Sequence, residues 1–306
     1  METVIITGGT GLIGRALSQF LESKGFQVII LTRNPQGHRS SSPGIVYAAW
    51  NPEEQTINEE AIKNASHVIQ LAGAGVVDKP WTAKRKKEII ESRTQSSALL
   101  VKAMDRIPNH IRSVVSASAI GWYRPRLSGQ SVESEPSDPG FLGETCRLWE
   151  ESIQPVKDLG KRLVILRTGI VLSKDGGAFP EFAKPIKYGI AGVLGDGKQI
   201  ISWIHIEDIC RIYAEAMTNP TWSGVYNAVA PNPVSNKNFT LELAKKMKGS
   251  FFIQLPIPSF ALRLTMGGRS EEVLKSSNIS SNKLKEQGFQ FIYPTVDAAF
   301  RDLTHH

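Results

Sequence analysis

The sequence predicts an α/β protein, a doubly wound parallel sheet followed by a smaller C-terminal lobe. Three features predict it. A strand, a glycine turn and a helix open the chain at Val4-Ile5-Ile6-Thr7-Gly8-Gly9-Thr10-Gly11-Leu12-Ile13-Gly14. Short β-branched runs then alternate with helical segments, the rhythm of parallel strands joined by crossover helices. Beyond Gly176 that rhythm loosens, and prolines and glycines cluster.

The 306 residues are 41% hydrophobic and 21% charged, an ordinary balance for a globular chain able to bury a large core. No apolar run approaches the roughly 20 residues of a membrane-spanning helix. The first strand starts with no basic segment or cleavage site before it, so no export signal is expected. Two cysteines, Cys146 and Cys210, form neither a disulfide framework nor a metal-ligand spacing, and a reducing, cytoplasmic setting without metal is expected. The net charge of +7 is spread along the chain rather than gathered in an arm. That pattern favours an anionic small molecule over nucleic acid. The one dense run, Lys84-Arg85-Lys86-Lys87, reads as a solvated helix face. His305-His306 receive no role.

Each element follows from local pattern. Val4–Ile6 is a strand buried on both faces, and Ala16, Leu17, Phe20 and Leu21 recur at helical spacing after Gly14. Lys24-Gly25 ends that helix, and Gln27-Val28-Ile29-Ile30-Leu31 is the second strand. Ser40-Ser41-Ser42-Pro43-Gly44 is a loop; residues 45–50 make the third strand, 57–65 a helix, and His67–Leu71 the fourth strand. Residues 81–104 read as a long helix with Thr82 as N-cap. Ser113–Gly121 is a fifth strand ending in small and hydroxyl residues. A Pro- and Gly-rich loop covers 122–140, then come a helix carrying Leu142, Cys146, Leu148 and Trp149, and the strand Arg162–Leu166. Ile200–Ile209 is the last expected return to the sheet, and from Gly224 the chain reads as an appended lobe. Its helices are expected at 238–247, 259–266 and 296–303. The division is therefore 1–172, with a returning segment near 198–222, and 173–306.

A glycine turn between a buried strand and a helix lets backbone N–H groups and the helix N-terminus approach a pyrophosphate. Thr7, Gly8, Gly9, Thr10, Gly11, Leu12, Ile13 and Gly14 are therefore candidate dinucleotide contacts. The end of the second strand selects the cofactor. NAD sites usually place a carboxylate there, whereas this chain has Thr32-Arg33-Asn34. A guanidinium binds a 2′-phosphate that a carboxylate would repel, so NADP is expected, with Arg33 its reader and Arg39 assisting. Leu71, Ala72 and Gly73 let the backbone pass close to the cofactor. Ser116, Ser118 and Arg167 lie toward the carboxyl ends of their strands, where open parallel sheets build their sites.

Thr7-Gly8-x-x-Gly11-x-x-Gly14, the strand end Ser116-x-Ser118-Ala119, and Ser202-Trp203-Ile204-His205-Ile206-Glu207-Asp208 together resemble the extended short-chain dehydrogenase/reductases, the group containing nucleotide-sugar epimerases. The chain is most similar to the "epimerase family protein" branch, which carries a C-terminal domain of unknown function. That likeness rests on Leu71-Ala72-Gly73, Trp81, Ser92-Arg93, Phe141-Leu142, Trp149-Glu150, Gly195-x-Gly197-x-Gln199 and Gly288-Phe289-x-Phe291. It implies a Rossmann-type domain, a nicotinamide cofactor and a C-terminal substrate lobe, and makes Ser118 the family's catalytic serine.

One departure limits the chemistry that the resemblance implies. The extended group uses a Tyr-x-x-x-Lys pair as general acid/base. None of the six tyrosines here, Tyr47, Tyr123, Tyr188, Tyr213, Tyr226 and Tyr293, has a lysine four residues on. The segment that resembles the expected one, Leu142–Glu150, puts Leu142 and Cys146 at those two positions, and a one-residue shift puts Phe141 and Thr145 there with the same outcome. Either another group handles the proton, with Ser118, Tyr123, Glu144 and Cys146 the candidates, or the chain is a non-catalytic NADP(H)-binding sensor or interaction protein. Cys146 also reads as a buried small hydrophobe, Glu144 as a solvated helix carboxylate, and Tyr123 as a packing aromatic. Gln199, Trp203 and His205 are candidate substrate contacts, His205 reading equally as a structural histidine. Asp208 is expected to cap the helix that follows, and Lys237 and Arg263 are candidate phosphate contacts. The expected partner is a small carbonyl or sugar-type metabolite, with no nucleic acid or membrane; an oligomer is open.

Overall fold

Val4, Ile5 and Ile6 have no solvent exposure at all, because strand alternation sends Val4 and Ile6 into one helical layer and Ile5 into the other. Burying such a side chain on either face is worth about 1.5–3 kcal/mol, which places the first strand at the centre. The computed structural model describes residues 1–40 and 42–304, without the side chains of Arg263, Thr265, Met266 and Glu271. Ser41 of the expected loop, the side chain of Arg263 and His305-His306 thus lie outside the described residues.

The first half runs β1 (Thr3–Thr7), α1 (Leu12–Ser23), β2 (Gln27–Thr32), β3 (Ile45–Asn51), β4 (Thr56–Ile57), α2 (Glu59–Asn64), β5 (His67–Gln70), α3 (Ala83–Arg106), β6 (Ser113–Ala119), α4 (Phe141–Ile153) and β7 (Arg162–Thr168). There follow β8 (Ile170–Ser173), β9 (Gly176–Gly177), α5 (Ala178–Lys187), β10 (Ile190–Leu194), β11 (Ile200–Ile201), β12 (Trp203–His205), α6 (Ile206–Thr218) and β13 (Gly224–Ala228). The last part holds β14 (Val234–Ser235), α7 (Asn236–Lys248), β15 (Ile253–Ile257), α8 (Ser259–Met266), α9 (Ser270–Leu274), α10 (Asn282–Glu286) and α11 (Val296–Thr304).

The large sheet has the order β13-β7-β6-β5-β1-β2-β3-β4, parallel except for β4. Strand order reverses between β1 and β5, the switch point where such sheets hold ligands. Leu17 and Leu21 of α1 and Ile209, Ile212 and Met217 of α6 pack on one face; Ile62, Leu99, Leu100 and Met104 of α2 and α3 pack on the other. A third core holds the C-terminal lobe, with Phe179, Trp203, Phe239 and Phe300 at its centre.

Three expectations change. The returning strand is β13, Gly224–Ala228, which pairs with β7 where the appended lobe was expected to begin. Ile200–Ile209 instead contributes β11 and β12, which pair with β14 and β8, and the start of α6. A short apolar run carries no mark of which sheet it joins. Arg85 is also turned inward, only 6% exposed, donating from Nη2 to the Gly75 carbonyl and pairing with Glu88 at 2.7 Å. Asp208 does not cap α6: the His205 ring accepts from the Glu207 N–H, while the Asp208 carboxylate holds the backbone N–H groups of Ile292 and Tyr293 at 2.9 Å each.

Candidate functional site

The glycine turn after β1 is shaped by contacts that leave no room for side chains. A Cβ on Gly8 would fall 2.8 Å from the Leu71 carbonyl carbon, and Gly8 has φ +70°. One on Gly9 would meet the Ile30 side chain at 2.7 Å, and one on Gly14 would collide with the Gly8 carbonyl. Gly11 caps α1 without a side-chain bond, and no carboxylate stands in the first turn. A helix start of this kind keeps its N–H groups and positive dipole end available to an anion. Thr7 acts indirectly, its hydroxyl accepting from Leu71 and Ala72 N–H at 3.2 Å each and fixing the Leu71-Ala72-Gly73 turn. Gly73 in turn lies against Arg93, whose guanidinium a Cβ there would meet at 2.9 Å. Thr10 is exposed, its carbonyl accepting from Arg15; Leu12 reaches across to Gly177, and Ile13 packs on the core. These contacts fit a dinucleotide pyrophosphate.

Thr32 ends β2, its hydroxyl accepting from the Asn34 N–H at 3.4 Å. Arg33 follows, exposed, and makes no hydrogen bond or ion pair among the described residues. A cation with no internal partner at this edge fits a phosphate.

Beyond the carboxyl ends of β6 and β7 lies a buried polar network. Ser118 donates to Glu150 Oε1 at 2.6 Å; Arg167 grips both Glu150 oxygens at 2.8 and 3.0 Å and donates to the Tyr123 hydroxyl at 2.9 Å. Tyr123 donates to Asn227 Oδ1 at 2.6 Å, and the guanidinium lies 3.6 Å from the Trp122 ring centroid. Ser118 and Tyr123 are thus brought together, but both hydroxyls are committed to the brace. Burial pushes the Tyr123 phenol up to about 12. Arg167 is likewise engaged within the network and only 2% exposed. Ser116 is also diverted, its hydroxyl donating to Gln70, which bonds Ser96 and Ser97 of α3.

The other two proton candidates are each engaged locally. Glu144 is held in a two-bond ion pair by Arg147, with bonds of 2.6 and 2.7 Å, and that pairing lowers its carboxyl below the ordinary value. Cys146 is buried against the Ala119 carbonyl, and burial raises its thiol to about 11, the behaviour of an inert core cysteine.

A cleft of about 790 Å³ opens beside the end of β6, between the start of α4 and the C-terminal lobe. Trp81, Phe141, Leu127, Leu142 and Leu274 form its apolar walls; Asp138, Lys198, Gln199, Glu272 and Lys275 are its polar ones. Trp81 and Phe141 meet edge to face at 5.0 Å with the Lys86 ammonium over both rings. Of the three expected substrate contacts only Gln199 lines this cleft, its Nε2 donating to the Leu194 carbonyl. Trp203 has no exposure and belongs to the C-terminal core, bonded to the Asn232 carbonyl. His205 is 2% exposed, caps α6, packs against the tilted Tyr293 ring with centroids 3.7 Å apart and lies 3.2 Å from Asp302. Alternation along β12 located its side chain opposite the isoleucines, but that side faces the C-terminal lobe.

Sequence reasoning did not single out Glu272 and Lys275. Ser270-Glu271-Glu272-Val273-Leu274-Lys275 has the charge pattern of any surface helix. Protein atoms crowd the Glu272 carboxyl, and burial raises it above the ordinary 4.5; Lys275 opposes that shift and Asp138 adds to it. Among the described residues there is no cluster fit to hold a metal ion, and no helix is long and apolar enough to cross a membrane.

A parallel sheet with its glycine turn at the switch point, an open helix start and an interlobe cleft defines a dinucleotide-binding protein of the extended short-chain dehydrogenase/reductase type. Residues 4–228 match the NAD dependent epimerase/dehydratase family, and residues 257–303 match a domain of unknown function, DUF1731. The chain belongs to that epimerase/dehydratase family. It is 36% identical over its full length to an epimerase family protein of Staphylococcus saprophyticus, all of which is covered. It is 34% identical to the epimerase family protein SDR39U1 homolog, chloroplastic, of Arabidopsis thaliana, over 98% of this chain and 86% of that one. Among solved structures, the human epimerase family protein SDR39U1 with NADPH superposes with a TM-score of 0.87 at 27% identity, covering 99% of each chain. The UDP-N-acetylglucosamine 4-epimerase of Bacillus cereus, at 18% identity and a TM-score of 0.78 over 99% of this chain and 98% of that one, shares the fold.

Proposed function

We propose that this chain is an NADP(H)-dependent oxidoreductase or sugar-nucleotide-epimerase-like enzyme acting on a small carbonyl or sugar-type metabolite. The observation that carries the reading is Arg33, an unpartnered cation at the edge where an NAD site would place a carboxylate. The NADPH in the human relative points the same way. When bound, the nicotinamide supplies hydride exchange with a substrate carbon. The glycine turn and the start of α1 hold the pyrophosphate, Thr7 fixes the turn at 71–73, and Arg33 reads the 2′-phosphate. The brace of Ser118, Glu150 and Arg167 keeps the end of β6 rigid, and Leu127, Leu142 and Leu274 shed water from the cleft. On this reading residues 1–172 make the cofactor lobe, supported by β13 joining its sheet and α6 packing on it, and most of 173–306 make the substrate lobe. Both cysteines are free and buried, in keeping with a reducing, cytoplasmic setting.

A second reading, an NADP(H) sensor without turnover, draws on the engaged Ser118 hydroxyl and on Leu142 at the tyrosine position. Titration of NADPH fluorescence tests what both share. One charge-assisted phosphate contact is worth about 1.5–3 kcal/mol, so Arg33→Asp should weaken NADPH about 10- to 100-fold and change NADH little. Unchanged NADPH affinity removes the assignment. Product analysis over a panel of carbonyls and nucleotide sugars then separates enzyme from sensor, because an epimerase regenerates its cofactor.

A further inference from the structure

The helix position that supplies tyrosine and lysine in the extended group carries Leu142 and Cys146 here, so proton transfer needs a group from elsewhere. The hydroxyls of Ser118 and Tyr123 are bonded inside the brace, and the Glu144 carboxylate is held by Arg147. The Asp138 carboxylate accepts from the Gly140 N–H at 2.6 Å. Glu272 differs from all of these. It lines the cleft, and its carboxyl has no hydrogen-bond or ion-pair partner among the described residues.

Its neighbour Lys275 reaches back across the cleft. The ammonium lies 3.4 Å from the Gly121 carbonyl, just past the end of β6. Gly121 also lies against α4: a Cβ there would lie 3.3 Å from the Leu142 Cβ and 3.7 Å from the Cys146 sulfur. Arg269 tethers the same segment on the far side, donating to the Val77 carbonyl at 2.7 Å. The C-terminal segment therefore roofs the cleft with a carboxyl and a lysine above the two substituted positions of α4.

We propose that Glu272 is the acid/base group of this cleft, with the Lys275 ammonium as its neighbouring cation, so that the C-terminal segment supplies the proton transfer that α4 has given up. The proposal rests on the reading of the chain as an NADP(H)-dependent enzyme. In reduction, the Glu272 O–H bond breaks and an O–H bond forms on the substrate oxygen, while the carbonyl carbon gains a hydride from NADPH. The substrate gains two electrons, NADPH is oxidised to NADP⁺, and the carboxylate regains its proton from solvent. The charged and titratable groups facing Glu272 are Lys275 on its own segment, Asp138 in the loop before α4, and Cys146 on α4. The Cys146 thiol, raised to about 11, stays neutral through the working range.

The test uses the full chain with NADPH and phenanthrenequinone, a dicarbonyl probe, together with carbon NMR of labelled glutamate. The Glu272 carboxyl should titrate above 4.5 in the wild type and higher still in Lys275→Met, which removes the opposing cation. Glu272→Gln should bind NADPH as the wild type does and lose about a hundredfold in kcat with little change in KM. It should also lose the limb of the pH profile that matches the NMR midpoint, and Glu272→Asp should restore part of the rate. A Glu272 midpoint at or below 4.5, or wild-type kcat in Glu272→Gln, overturns the proposal and leaves the NADP(H) enzyme reading standing. A wild type that binds NADPH but, by product analysis, converts no member of a panel of carbonyls and nucleotide sugars overturns both. Should Glu272→Gln fail to fold, the titrations of wild type and Lys275→Met decide.

Discussion

Replacing Arg167 by methionine should weaken the fold rather than empty the cofactor site. The Arg167 and Glu150 side chains are 3% and 6% exposed and joined by two bonds, of 2.8 and 3.0 Å. Arg167→Met strands the Glu150 carboxylate in the interior, with only the Ser118 hydroxyl left to it, and removes a donor from the Tyr123 hydroxyl. Breaking one side of a buried ion pair costs about 3–5 kcal/mol. Loss of the cation over Trp122, 3.6 Å from the ring centroid, adds about 1 kcal/mol. A total of about 4–6 kcal/mol is a large part of the 5–15 kcal/mol that holds a typical domain folded. Urea unfolding followed by tryptophan fluorescence measures it. The double variant Glu150→Gln with Arg167→Met should recover much of the loss, because no bare charge is left inside. A single variant within about 1 kcal/mol of wild type refutes the reasoning. So would lost NADPH affinity at unchanged stability, which would return Arg167 to the cofactor.

Gly14→Ala should abolish NADPH binding and destabilise the chain by more than about 2 kcal/mol, since its Cβ would collide with the Gly8 carbonyl. Gly11→Ala, whose Cβ would lie 3.3 Å from that oxygen, should be milder; calorimetry that ranks them the other way counts against this loop geometry. Burial depresses the pKa of His67 and of His205 below the ordinary 6.5. The unfolded chain then binds more protons, so stability should hold above about pH 6.5 and fall as the pH drops toward the folded values. His205→Asn keeps a capping acceptor and should flatten that slope in urea midpoints taken between pH 5 and 7.5; an unchanged slope would assign the dependence elsewhere.

The cofactor end of this protein was legible because its physics is local. Gly8 and Gly14 stand where backbone approach forbids a Cβ, Gly9 where the Ile30 side chain does, and a buried strand and an amphipathic helix flank them. The cation at the edge of β2, Arg33, was visible for the same reason, since it sits next to the end of a strand. The cleft was not legible. Glu150 reads as a helix carboxylate and Arg167 as a strand-end cation until β6, β7 and α4 assemble and pair them in the interior. Trp203 and His205, both within the stretch that carries the family resemblance, turn toward the C-terminal lobe instead, Trp203 into its core and His205 against Tyr293 and Asp302.

By itself, then, the sequence determined the α/β class, the glycine turn, the cationic edge of β2 and the absence of a tyrosine–lysine pair. Each of these depends on residues a few positions apart, within reach of strand and helix periodicity. Only the tertiary structure decided that β13 closes the sheet, that Ser118 and Arg167 brace Glu150, and that Lys275 reaches Gly121 just past the end of β6. Gly121 and Lys275 are 154 residues apart. Their meeting depends on how two lobes pack, and no local pattern encodes that.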